Sequence, residues 1–212
     1  SIVSINDIYG QMLNGRFPPA NFDDDAAQVL SKLTNITIQL WKLCKDKLLP
    51  TPAKFHYIFN MRELSRVFQG VLLCNKEILN TGGSKGTDGT LGLDPDTVIS
   101  SVWRHECERV FADKLTNLKD KAWYATTMDK LCVAEFGPDM CDRMNPEFFM
   151  VNFLREDVYD EDGVMIEEAP KVYEPGSELP FIRTVVTTFL DKYNEDNPSK
   201  SMNLVLFDDA LR

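Results

Sequence analysis

Apolar residues recur at helical spacing along most of this chain, in blocks set apart by proline, glycine and acidic residues. The first block, Ile5, Ile8, Tyr9, Met12 and Leu13, follows Ser4, a residue suited to cap a helix, and stops near Gly15 and Pro18. Asp23, Asp24 and Asp25 suit the positive end of the next helix. On it Val29, Leu30, Leu33, Ile36, Leu40, Trp41, Cys44 and Leu48 mark one face, and Pro50 and Pro52 end it. A third helix is predicted from Asn60. Glu63 stands three residues on, so N-x-x-E reads as a capping box, and Met61, Leu64, Val67, Phe68 and Val71 form the apolar stripe.

Asn80–Gly92 holds five glycines and predicts a surface loop. Asp94 as N-cap and Pro95 at the first helical position then open a helix with Val98, Ile99, Val102, Trp103, Cys107, Val110 and Phe111 inward. A further helix is predicted around Trp123–Phe136, ending at Gly137 and Pro138. From Asn145 to Glu174 the pattern changes: PEFFMVNF and GVMIEEAPKVY predict short strands or extended segments around an acidic turn, Asp157 to Gly163. The last amphipathic helix holds Ile182, Val185, Val186, Phe189, Leu190 and Tyr193, and the polar run Asn194 to Ser201 reads as a linker. No internal repeat is visible.

Composition narrows the function more than the fold. With 212 residues, 43% of them hydrophobic, the chain can bury one good core or two small ones. Net charge of −10 and a pI near 4.7 argue against a nucleic-acid groove, which requires clustered lysine and arginine. There is no signal peptide and no apolar run long enough to span a membrane, so no membrane partner is expected; with Ser1 in first place the chain reads as an excised piece. Cys44, Cys74, Cys107, Cys132 and Cys141 lie in apolar stretches with no C-x-x-C pair, and buried reduced thiols are expected.

Several motifs mislead. TGGSKGTDG fails as a phosphate loop because Gly86 follows Lys85 where Ser or Thr is required. DVYDEDG fails as a calcium loop because Val158 and Ala169 occupy the end ligand positions. His56 and His105 have no metal-ligand spacing, no metal site is expected, and no serine or cysteine has a nucleophile's setting. No catalytic residue is expected, and hydrolysis by this chain alone is not.

One position is electrically awkward. Arg62 falls in the first turn of the capped third helix, where the dipole already supplies about half a positive charge. A carboxylate such as Glu63 would relieve it, and so would a phosphate held between guanidinium and backbone N–H groups, with Arg66 one turn on along the same face.

Arg62 within NMREL resembles the second-sensor arginine of AAA+ ATPases, carried on the small helical lid subdomain. In order, TPAKFHYIFNMRELSRVFQG, WRHECERVFADKL (Trp103–Leu115) and MNLVLFDDALR (Met202–Arg212) resemble the segments joining the third and fourth AAA+ modules of dynein heavy chains. KFHYIFN and WRHE resemble the axonemal branch, and the likeness is weakest over 75–94 and 157–180. It implies a mainly α fold, an AAA+ small (lid) helical subdomain with a minor β or extended element. Residues 1–196 would be the third module's lid, and 197–212 a linker and the start of the fourth. The resemblance also implies ATP or ADP with Mg held mainly by residues outside this chain and by none of it alone. Arg62 and Arg66 would reach that nucleotide's phosphates, and Val205 and Phe207 would flank the adenine of another. Implied partners are the adjacent AAA+ subdomains, the microtubule through the whole motor, and dynein intermediate and light chains through the whole complex. The implied location is the cytoplasmic cytoskeleton, in the axoneme of a cilium or flagellum. An acidic helical adaptor that binds protein partners and no nucleotide is the alternative.

Overall fold

Asp23 caps the helix around which the first part of the chain is built. In the computed structural model, which describes residues 2–81, 94–144, 149–160, 164–176 and 179–211, its carboxylate accepts the Ala26 amide at 2.8 Å. Asp24 and Asp25 fill the first turn of α2 (Asp24–Lys47), whose Leu33, Ile36, Leu40 and Cys44 are fully buried. The chain divides into two compact units, 1–148 and 149–212.

In the first unit α2 packs against α1 (Ile2–Arg16), α5 (Pro95–Cys107) and α6 (Leu118–Phe136), while α3 (Met61–Leu73) packs mainly on α5. Helix α1 already includes Ser4, so that residue is inside the helix and not its cap. It buries Tyr9 and Leu13 while Ile8 and Met12 are exposed. The reason is what Tyr9 touches: its ring stacks on Phe68 at 4.3 Å and its hydroxyl lies 2.6 Å from Ser65 Oγ, which turns that edge of α1 toward α3. Arg16 donates to the carbonyls of Leu72 and Cys74, both at 3.1 Å, closing the C-terminal end of α3 where a cation is favoured.

Pro95 opens α5 as predicted, but Asp94 makes no capping bond and instead faces Arg143 at 3.4 Å. The Trp103 ring is fully buried, and its indole N–H donates to Thr37 Oγ1 at 2.8 Å, tying α5 to α2. After Cys107 the helix widens into one π turn, Glu108–Ala112. Asn117 caps α6, and Gly137 closes it at φ 91°, a conformation that favours glycine. Pro138 then starts a short helix, α7 (Pro138–Arg143), because its fixed φ suits a first helical position as well as it suits a stop. Residues 76–81 form α4 (Lys76–Thr81), and the rest of the predicted glycine loop, 82–92, lies outside the described residues.

The second unit has two antiparallel strand pairs, β1 (Met150–Val151) with β4 (Glu174–Pro175) and β2 (Val158–Tyr159) with β3 (Met165–Glu167). Arg155 forks onto Glu174 at 3.1 and 3.2 Å. Helix α8 (Leu179–Asp196) buries only Ile182, and α9 (Asp208–Leu211) is a single turn. The segment predicted as a linker is ordered: α8 runs to Asp196, and the Asn194 side chain bonds both the N–H and the carbonyl of Met202, at 2.7 and 3.0 Å.

Candidate functional site

Helix α3 starts with the predicted capping box. Asn60 Oδ1 accepts the Arg62 amide at 2.8 Å, and Glu63 Oε2 accepts the Asn60 amide at 3.1 Å. Glu63 is thereby turned inward and buried, its other oxygen 3.8 Å from Lys114 Nζ. Arg62 and Arg66 are exposed, and among the described residues neither guanidinium is paired with a carboxylate. The ion pair with Glu63 that spacing allows is therefore not made.

The chain leading into α3 is clamped from two sides. From α2, the Trp41 indole N–H is shared between the carbonyls of Phe59 and Asn60, at 3.2 and 3.1 Å, so it grips the N-cap residue itself. From the turn before α6, Lys114 Nζ donates to the Ile58 carbonyl at 3.2 Å and sits 4.6 Å from the Phe59 ring centroid, while the Lys114 carbonyl lies 3.0 Å from His56 Nε2. The buried Tyr57 hydroxyl donates to Asp120 Oδ2 at 3.0 Å and accepts the Thr116 amide at 3.1 Å. Asp120 also accepts Lys54 Nζ at 2.5 Å and Asn117 Nδ2 at 2.6 Å. The Lys54 hydrogen bond is the largest of the influences that hold the Asp120 carboxyl below its ordinary range.

Several cations gather near the start of α3. The ammonium of Lys114 is shifted down, first by burial and further by Arg66, against the pull of Glu63. The exposed Arg62 and Arg66 stand in the first two turns of α3, and Arg66 acts on Lys114, a grouping of cations at a positive helix end that suits an anion such as a phosphate.

Of the predicted site residues, Arg62 and Arg66 share one helix of the first unit. Val205 and Phe207 belong to the second, where they are exposed on either side of Leu206. Arg183 of α8 binds the Leu206 carbonyl and the Asp208 carboxylate, which fixes that segment along α8. The thiols of Cys44, Cys74 and Cys132 are pushed up to about 12 by burial, and Cys107, fully buried, is raised as well. They are poor nucleophiles. Sequence spacing did not single out Trp41, Tyr57, Lys114 or Asp120. Trp41 was visible only as a stripe residue, and contacts that span 18 to 66 residues leave no local signature.

Residues 33–145 match the AAA+ lid domain family, a stretch that lies within the first unit. Along its whole length the chain is 39% identical to the "Dynein gamma chain, flagellar outer arm" of Chlamydomonas reinhardtii and 36% identical to "Dynein axonemal heavy chain 5" of Mus musculus. Over 98% of its length it is 35% identical to "Dynein axonemal heavy chain 10" of Homo sapiens. It spans only 5% of the first relative and 4% of the other two.

Proposed function

The chain belongs to the AAA+ lid domain family and is homologous throughout to axonemal dynein heavy chains, and on that premise we propose that it senses nucleotide for a microtubule motor. In this reading it is the lid of the motor's third AAA+ module, running on toward the fourth. The nucleotide with its Mg is held mainly by neighbouring subdomains of the same heavy chain, and Arg62 reaches its terminal phosphate. Arg66 assists from the next turn. Val205 and Phe207 contact a different nucleotide, that of the following module. The motor acts on microtubules in the axoneme of a cilium or flagellum, with intermediate and light chains as partners of the whole complex.

The observation that carries this is Arg62 itself: an exposed guanidinium with no carboxylate partner among the described residues, at a helix end that is already positive. An adaptor surface has no use for that charge, whereas a phosphate removes the penalty. ATP supplies the terminal phosphate and ADP lacks it, so the arginine interacts differently with the two states. That difference is what a conformational switch requires.

The test is Arg62→Ala in the intact heavy chain. Fluorescent ATP should lose more affinity than fluorescent ADP, and microtubule gliding should slow. Unchanged ATP preference and unchanged gliding together would overturn the reading.

A further inference from the structure

Gly70 lies where α3 crosses α5, and the space left by its missing side chain is filled by a carboxylate. A Cβ at that position would stand 1.9 Å from Oε2 and 2.1 Å from Cδ of Glu106, so the glutamate head group lies directly against the α3 backbone. Glu106 is fully buried. Its Oε2 accepts both Nε and Nη2 of Arg109, at 3.2 and 2.9 Å.

Glu106 and Arg109 lie on α5 and the π turn that continues it, so the pair reaches α3 only through the packing of Glu106 against Gly70. The buried Glu106 carboxylate must offset its own desolvation, and replacing such a group by well-packed apolar residues of similar volume is often neutral or stabilising. What the pair adds is directionality, because a forked guanidinium and a carboxylate tolerate little rotation. The π turn Glu108–Ala112 begins immediately after Cys107 and includes Arg109, whose side chain is half-exposed at 48%. Such turns carry an extra residue and mark functional positions in helices. Along α3, Arg66 and Arg62 stand one and two turns from Gly70, so any roll of α3 about the Gly70 contact swings both guanidinium groups.

We propose that Glu106 and Arg109 are positioning residues: their ion pair, seated against Gly70, sets the roll of α3 and so aims Arg62 at the phosphate. This inference rests on the reading of Arg62 given above. Neither residue touches nucleotide; they act through α3.

Hydrogen–deuterium exchange over residues 57–74 of the intact heavy chain tests it, comparing a non-hydrolysable ATP analogue with ADP. The wild type should exchange more slowly with the analogue than with ADP, and Arg62→Ala should lose that difference. Gly70→Ala, which displaces the carboxylate, should lose most of it too, and should add nothing in combination with Arg62→Ala. Glu106→Gln, which keeps the shape but breaks the ion pair, should lose most of it as well. If Gly70→Ala fails to fold, Arg109→Lys carries the test, since lysine keeps the charge and loses the fork. A merely structural pair would change exchange equally in both nucleotide states. If the difference survives in Gly70→Ala and Arg109→Lys while Arg62→Ala loses it, the positioning role is overturned and the arginine reading stands. If Arg62→Ala keeps the difference, both fall.

Discussion

Helices α2 and α8 have the same kind of sequence, long and amphipathic with an unbroken apolar stripe, yet they have opposite fates. The stripe of α2 is sealed, with Leu33, Ile36, Leu40 and Cys44 at 0% exposure. That of α8 buries Ile182 and leaves Phe189 51% exposed and Tyr193 exposed, in a unit whose Val164, Met165, Ile166, Val205 and Phe207 are also exposed. Periodicity therefore specifies that a face is to be covered and does not say by what. The first unit supplies its own cover, because helices α1, α3, α5 and α6 all pack on α2. The second leaves these apolar side chains exposed among its described residues.

Substitutions sharpen this contrast, beginning with the largest effect. Trp103→Ala, in the sealed core, should cost about 3–5 kcal/mol by urea unfolding followed by circular dichroism, since it leaves a large cavity and strips Thr37 of its donor. Gly70→Ala should cost about 1–3 kcal/mol in the same assay through overpacking against Glu106. Asn60→Ala removes a cap and should cost about 1 kcal/mol.

Acid should find the clamp ahead of α3. The Asp120 carboxyl titrates lower in the folded chain than unfolded, so its contribution is fully present above the ordinary aspartate value near 3.9 and is lost as pH falls through the folded value. Asp120→Asn should therefore flatten the acid limb of the melting-temperature profile and leave its shape near neutrality unchanged. Phe189→Ala should shift stability least, by less than about 1 kcal/mol, because its half-exposed ring loses chiefly the edge contact with Phe153. A large loss there would mean that α8 is covered after all.

Much of this was legible from residue order. The acidic start of α2, the Asn60 cap, the stripe of α2, that of α3 apart from the exposed Met61, and the Pro95 start follow from rules that act within four residues, and the structure keeps them. Where local rules allowed two outcomes, packing decided: Pro138 starts α7, and Tyr9 turns α1 so that Met12 is exposed. The position of Arg62 could be predicted, but its lack of a carboxylate could not, since that depends on Glu63 being engaged by the Asn60 amide and Lys114. The seat of Glu106 on Gly70 was hidden for the same reason, because a glycine in a helix gives no hint of what approaches it.

The indole of Trp41 hydrogen-bonds to the carbonyls of Phe59 and Asn60, directly ahead of Arg62. Indole emission depends on the hydrogen bonding and polarity around the ring, so Trp41 is an optical probe at the base of α3. With Trp103 and Trp123 replaced by phenylalanine, the colour and lifetime of the remaining tryptophan would report, without any attached dye, whether nucleotide shifts the base of this helix.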